Sequence, residues 1–491
     1  MRLSARKFDL SLSFLMLKKV ALILIVLAVL VFNALRFWKL DTIPYGYHVD
    51  ETGSADTVQC MAQIGCDAEL THWPLFAFMQ YGQDKPPTYI YPAIIWAKVF
   101  GTTVASLRAY SVFGLLVGII GLFFLARLLW GSSAALVVVL AATCSPWAWV
   151  VTRVALESFF APVFAILGLY FFWRSRRSFD WGIAAFLFAC AMYSYPPARM
   201  QVPLMILTLS VYHWKQRPVQ WRPYLSFGMV FVLSLIPMLP QYLNGTLARR
   251  FNLISIANQD YLHSIGATGT PWDLVCIFIH NYFLHLSPDF LFFTGDPSYV
   301  HSTRHLGTLS WFDTGALVIF LVFLVLIFLR RTWGDNPVIR HRRMLIFLAV
   351  NFFIGIIPSA LTNQELPHAL RICGSWPFAM LFSGLMWYSA AECLKALWPL
   401  LALVGILSGG VLVWQYFTVY PQESKGMFDY WLKDAADSLK TQQDWQKFLL
   451  VFHRRNYQCM YFMEHRLGMT CKQAHDVWWQ LLRELQARGQ W

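Results

Sequence analysis

Uninterrupted apolar stretches recur along this chain, and no other feature constrains its fold so strongly. They begin near residues 19, 107, 131, 158, 181, 200, 223, 314, 344, 372 and 395, and each is long enough for a membrane-crossing helix. Composition agrees: 57% of residues are hydrophobic and 13% charged, where a soluble domain carries about 25% charged residues. A water-soluble fold cannot hide that much apolar surface. The 40 Phe, 22 Trp and 21 Tyr suit a chain with many membrane–water boundaries to anchor. The expectation is an all-α polytopic membrane protein, which excludes intrinsic disorder and a soluble nucleic-acid binder.

The net charge of +13 is informative through its placement. Basic residues cluster at Lys18–Lys19, at Arg174, Arg176 and Arg177, at Lys215, Arg217 and Arg222, at Arg330–Arg331, and at Arg340, Arg342 and Arg343. Each cluster lies in a short connection between apolar runs, as the positive-inside rule describes. The run Pro86–Phe100 is short for a span and opens with two prolines. If it crossed the bilayer, with Lys18–Lys19 cytoplasmic, every later basic cluster would fall outside. If it lies in the interface, all of them fall inside. Parity thus predicts about eleven spans, a juxtamembrane helix at Pro86–Phe100 and an uncleaved first span at Val20–Trp38. The amino terminus is then cytoplasmic in the plasma (inner) membrane. The first loop (39–106), the Trp147–Glu157 connection, the long loop (241–313) and the Thr362–Arg371 turn share the outer face. So does the tail after Tyr420, which makes residues 1–420 a membrane domain and 421–491 a small helical outer-face region.

Of nine cysteines, Cys60 and Cys66 fall in the first loop and Cys459 and Cys471 in the tail. Either pair could form a disulfide in an oxidising compartment or stay as free thiols. No Cys/His spacing reads as a zinc site.

Ionisable residues are scarce inside the predicted spans and gather at their outer ends, which favours chemistry at the membrane boundary over passage through the midplane. The densest group is Ile43-Pro44-Tyr45-Gly46-Tyr47-His48-Val49-Asp50-Glu51. Its Pro and Gly force a turn that presents two carboxylates, of which only one can aim at a given substrate. Such a carboxylate can act as general base for a hydroxyl; the alternative is a helix cap followed by a dipole-favoured Glu. His48, Asp50 and Glu51 could also bind a divalent cation, although metal-independence is the expectation. Lys85, after Asp84 and before Pro86-Pro87, would open an interfacial helix at a level suited to a lipid-linked phosphate, or simply snorkel to headgroups. His368 and Arg371 would share a helix face and could contact phosphate or sugar. Arg199, in Tyr193-Ser-Tyr195-Pro-Pro-Ala-Arg199, is a further cation at an outer end. Arg153 and Glu157 would pair with each other across one helical turn.

Taken together, Pro44…His48-Val-Asp50-Glu51, Asp84-Lys85-Pro-Pro and Ser145-Pro-Trp147…Arg153-Val-Ala-Leu-Glu157 resemble the GT-C membrane glycosyltransferases. The similarity is to bacterial members of the protein O-mannosyltransferase and lipid A aminoarabinose transferase branch. Tyr193–Arg199, Asn281…Asp296…His301-Ser302 and Ala360-Leu-Thr362…Pro367-His368…Arg371 extend it over roughly Leu40 to Pro377. The resemblance implies a GT-C-like bundle with outer-face juxtamembrane helices, transferring a sugar from a polyprenyl-phosphate donor to a lipid, glycan or protein acceptor. It implies Asp50 as general base with Glu51 beside it, and Lys85, His368 and Arg371 at the donor phosphate. His48, Asp84, Tyr195 and Arg199 are further candidates for substrate contact. A polyprenyl-linked glycan ligase or polymerase, and a lipid or glycan transporter, are the other readings.

Overall fold

The computed structural model describes residues 2–487, apart from 68, 75–77, 81–82, 176, 215–220, 330–335, 440 and 453–455. Arg176, Lys215, Arg217, Arg330 and Arg331, and Tyr81 and Gly82 of the Lys85 motif, lie outside the described residues. The fold is almost wholly helical. In chain order the first elements are α1 (Arg2–Leu35), α2 (Val49–Ile64), a hairpin of β1 (Phe78–Gln80) and β2 (Gln83–Lys85), α3 (Pro87–Phe100), α4 (Val104–Trp130), α5 (Ser132–Thr143) and α6 (Pro146–Thr152).

Among the described residues seven helices are long and apolar enough to cross a membrane: Phe14–Leu35, Val104–Trp130, Arg222–Leu243, Pro271–Phe293, Trp311–Phe328, Arg342–Ala360 and Leu397–Thr418. An eighth is obtained if α5 and α6, bent by 57° at their junction, form one broken span. Phe160–Arg174 and Ser178–Ser194 are apolar but shorter. The chain is thus an integral membrane protein; seven or eight of the eleven expected spans pass on length and composition among the described residues, and the count of eleven is not confirmed. Pro271–Phe293 lies within the stretch 241–313 that the sequence assigns to a loop. Asp273, His280, Asn281 and His285 interrupt its apolar run, and its helical length, Pro271–Leu284 followed by a π-helical turn at Asp289–Phe293, is seen only in the structure. The segment after Pro86 behaves as expected: α3 has 14 residues, short of a bilayer at 1.5 Å per residue.

The helices divide into two compact, discontinuous units. The first comprises 1–36, 114–150 and 158–416. In it Phe160–Arg174 packs as a hairpin against Ser178–Ser194, while Trp376–Cys393 packs on α5 and on Trp311–Phe328. Close approach needs small residues, as elsewhere in membrane bundles: a Cβ on Gly384 would stand 2.3 Å from Val138 Cγ2.

The second unit comprises 37–113, 151–157 and 417–491. Its centre is α2, which is polar in sequence yet buried from Glu51 to Met61. The tail helices Asn456–Leu467 and Cys471–Ala487 cover α2 on one side, and α3 packs on another. Cys471 N–H donates to Gln63 Oε1 at 2.9 Å, and Gln458 Nε2 donates to Tyr47 O at 3.2 Å. The tail is therefore part of the same compact unit as the first loop. The disulfide joins Cys60 to Cys471, across the two pairs that the sequence left open, while Cys66 and Cys459 are free thiols. Partners 411 residues apart in sequence leave no local signal, because only the packing of Cys471–Ala487 on α2 brings them together.

Candidate active site

The loop after α1 is folded by two features of its own sequence. Gly46 has φ 96°, and a Cβ there would lie 2.2 Å from Phe428 O, so glycine alone lets Tyr47 N–H donate to that carbonyl at 2.7 Å. His48 then caps α2. Its Nδ1 accepts from Asp50 N–H at 3.3 Å, and Glu51 Oε2 accepts from His48 N–H at 2.9 Å. This is a capping box with histidine in the role usual for Ser or Thr, so the helix-cap reading applies, with His48 rather than Asp50 as the cap.

The two adjacent carboxylates have different surroundings. Glu51 is fully buried and accepts four hydrogen bonds: from Arg108 Nε at 2.6 Å and Nη2 at 2.8 Å, from Ala155 N–H at 3.1 Å, and from His48 N–H. Arg108 spends its remaining donors on the carbonyls of Leu40, Pro44 and Gly46, at 2.9, 2.9 and 3.0 Å. Every N–H of the guanidinium is used. The pair ties the first loop, α2, α4 and the 151–157 segment into one knot and leaves Glu51 little acceptor capacity for a ligand. Arg108 escaped the sequence reading; the signal was an arginine one turn into a long apolar helix, where a charge is costly.

Asp50 is 38% exposed at its side chain, and its Oδ1 accepts from Lys85 Nζ at 3.2 Å. Lys85 ends β2 rather than opening a helix; α3 starts after it, behind Pro86. The ammonium is buried and lies 3.4 Å from Glu157 Oε2. Burial alone would push Lys85 toward neutrality, but Asp50, and then Glu157, outweigh it and hold the amine above its ordinary value. His48 Nδ1 stands 3.6 Å from Asp50 Oδ2. Asp84 lies in β2 opposite Met79.

Glu157 is delivered by an irregular segment. α6 ends at Thr152, so no helical turn sets Arg153 and Glu157 together as the sequence suggested. Arg153, fully buried, donates to Trp38 O at 2.8 Å and Ile43 O at 3.1 Å. Tyr89 OH donates to Ala155 O at 3.3 Å, and Glu157 joins Lys85.

A second group lies in the other unit. His285 Nδ1 faces Asn281 O at 2.8 Å, and its Nε2 accepts from His368 N–H at 3.0 Å. With Nε2 accepting, the proton sits on Nδ1, and Ser359 Oγ lies 2.8 Å from the same Nε2. Asp296 Oδ2 accepts from Ala369 N–H at 2.6 Å and lies 3.3 Å from His301 Nδ1 and 3.7 Å from His368 Nδ1. His368 stacks on His301 with centroids 4.6 Å apart. Burial first, then His301 and Arg371, keep His368 well below its ordinary value, so it is neutral. His368 and Arg371 sit in a turn rather than on a helix. Arg371 Nη1 donates to Thr362 Oγ1 at 2.9 Å and Gln364 O at 2.6 Å, and Tyr195, Glu365, Arg250 and Asp296 lie within its electrostatic reach. Arg199 is half-buried in the first turn of Ala198–Trp214. Asp296, His301 and His368 could hold a metal ion; the His48–Asp50–Glu51 segment is not such a cluster, because Glu51 is engaged with Arg108. His285 was not singled out from sequence, since a lone histidine in an apolar run carries no signal.

Residues 84–240 match the family of dolichyl-phosphate-mannose-protein mannosyltransferases. No curated protein matches the chain by sequence. In fold the chain is similar to ArnT from Cupriavidus metallidurans, whose structure holds undecaprenyl phosphate, with a TM-score of 0.50 at 12% identity over 92% of this chain and 87% of ArnT. It is also similar to the oligosaccharyltransferase AglB from Archaeoglobus fulgidus, seen with an inhibitory peptide and a dolichol-phosphate. There the TM-score is 0.51 at 14% identity, over 88% of this chain and 59% of the longer AglB. The resemblance carried by the motifs is borne out to this extent: the chain shares its fold with ArnT and AglB, and residues 84–240 match the dolichyl-phosphate-mannose-protein mannosyltransferase family.

Proposed function

We propose that this protein transfers a sugar from a polyprenyl-phosphate donor to an acceptor hydroxyl at the outer face of the plasma membrane, with Asp50 as general base and Lys85 at the donor phosphate. The observation that carries this reading is the contrast at the start of α2. Of two neighbouring carboxylates, Glu51 is saturated and buried, and Asp50 is partly exposed with a lysine ammonium 3.2 Å away.

The chemistry follows from those positions. Asp50 takes the hydroxyl proton as the acceptor oxygen attacks the anomeric carbon. The bond from that carbon to the phosphate oxygen breaks, and the phosphate leaves with the electron pair. Lys85 meets that charge at the moment it develops, where a pre-placed cation is worth most. Glu157 keeps the ammonium in place and Glu51 with Arg108 keeps the helix start in place, so both are positioning residues. Within the other unit, Arg371 offers a cation and His368 a neutral hydrogen-bonding imidazole suited to phosphate or sugar, with Tyr195 in electrostatic reach of Arg371. Cationic side chains suffice for the leaving charge, and the reaction is metal-independent on this reading; if a cation is needed, Asp296, His301 and His368 are the residues to hold it. Lys18–Lys19 at the start of the first apolar run support a cytoplasmic amino terminus, with the loop that carries Asp50 on the opposite face.

The test uses purified protein in lipid, a panel of radiolabelled polyprenyl-phosphate sugars, and host membrane extract as acceptor. Transfer by wild type, lost in Asp50→Asn and in Lys85→Ala and unchanged by EDTA, is the expected result. Transfer that survives Asp50→Asn would remove the base assignment. Consumption of diphosphate-linked oligosaccharides alone would move the reading to a glycan ligase, and lipid movement with no new glycosidic bond to a transporter.

A further inference from the structure

Away from the Asp50 group, the disulfide lies in an unusual setting. Asp56 and Cys60 are four residues apart on α2, and Cys471 and His475 are four apart on Cys471–Ala487. Each pair therefore shares one helix face, and the two faces meet. All four side chains are buried, and their ligand atoms lie within 4.8 Å of one another. Asp56 Oδ1 is 3.7 Å from Cys60 Sγ and 3.6 Å from His475 Nε2, and Cys60 Sγ is 3.8 Å from His475 Nε2. In a tetrahedral zinc site with metal–ligand bonds of about 2.3 Å to sulfur and about 2.0–2.2 Å to nitrogen and oxygen, the corresponding edges are about 3.4–3.6 Å. Three edges of the tetrahedron are already present to within a few tenths of an ångström.

A second observation points the same way. Glu464, on Asn456–Leu467, lies against Asp56 and shares a hydrogen bond with it, and both carboxyl groups are buried. Two buried carboxyl groups facing each other concentrate negative charge that a bound cation would offset. A ligating carboxylate usually has such an outer partner.

We infer that Asp56, Cys60, Cys471 and His475 form a zinc site when the two cysteines are reduced, and that the disulfide is the oxidised alternative of the same clamp. A phosphine plus water converts the disulfide to two thiols and phosphine oxide. Zn2+ then binds both sulfurs as thiolates and releases two protons. Either state fastens the carboxyl-terminal helix to α2, the helix whose first turn carries Asp50. Donors of this softness select zinc over magnesium or calcium.

The experiment takes full-length protein in lipid nanodiscs, oxidised or reduced with a phosphine, then exposed to Zn2+ or Co2+ and freed of excess metal. One zinc per chain in the reduced sample and none in the oxidised one is expected. Co2+ should give the visible bands of a tetrahedral ion together with sulfur-to-metal charge transfer. His475→Ala and Asp56→Ala should lose the metal while Cys66→Ser and Cys459→Ser keep it, and the oxidised variants, held by the disulfide, report on folding. Reduced wild type that takes up no metal, an octahedral Co2+ spectrum without charge transfer, or equal uptake with the disulfide intact would each overturn the inference.

Discussion

Two acid–base groups begin one residue apart on α2, and they have opposite characters. Glu51 and Arg108 form a closed knot: both are fully buried, every guanidinium N–H has an acceptor, and the carboxylate accepts two backbone N–H groups besides the arginine. Asp50, Lys85 and Glu157 form an open group, in which one lysine serves two carboxylates and one of those is 38% exposed. A closed pair has nothing left to offer a substrate and is expensive to break. An open one can exchange a partner for a ligand at small cost. Residue type does not separate the two; the completeness of hydrogen bonding does.

The strongest way to break this comparison is to cut the knot. Arg108→Ala leaves Glu51 buried and uncompensated, and should lower stability by about 3–5 kcal/mol, read as a large drop in thermal midpoint in lipid. A midpoint within a degree or two of wild type would mean that the knot does not hold the loop. Asp50→Asn should do the reverse. Transfer falls by about 10²–10⁴-fold, while stability falls less than in Arg108→Ala, because Glu157 still faces the buried Lys85 ammonium. Loss of folding and activity together would merge the two groups into one structural feature. A smaller effect is expected at the cap: His48→Ala removes the acceptor for Asp50 N–H and should cost about 0.5–2 kcal/mol, with His48→Asn largely restoring it. If neither variant moves the thermal midpoint, the turn is held by Gly46 and Arg108 alone.

The last prediction concerns pH. The folded Lys85 amine lies above its ordinary value, so the stability it contributes is complete below the unfolded lysine value of about 10.4. That stability is lost as pH climbs through the higher folded value. Wild type should therefore lose more stability than Lys85→Met on the alkaline side, and the difference between them should be flat from pH 6 to 9. A difference that changes in that neutral window would assign the titration to a different group.

Much of this was legible in the residues. Asp50 and Lys85 stand out because charged, Pro- and Gly-bounded motifs flank long apolar runs, and the structure places them in direct contact. α3 was expected at its observed place and length. Other parts left no local trace. Arg108 is one charge in an apolar helix, and its five acceptors come from residues 40 to 51. Glu157 was paired with Arg153 on a helical spacing that the end of α6 at Thr152 removes. The polar residues of Pro271–Phe293 mask its helical character in the sequence, and two of them, Asn281 and His285, organise the turn that carries His368.

Sequence alone determined the solvent this chain folds in and the class of its elements, because apolar runs of spanning length and a scarcity of charge admit only helices in a bilayer. It also showed where ionisable groups gather, near the ends of the apolar runs, where charge is least costly. Only the tertiary structure decided which of two adjacent carboxylates is buried, which lysine and glutamate meet, and that Cys60 pairs with Cys471. Those outcomes depend on contacts between segments tens to hundreds of residues apart, and desolvation and hydrogen-bond completeness are properties of such contacts rather than of any residue in its own neighbourhood.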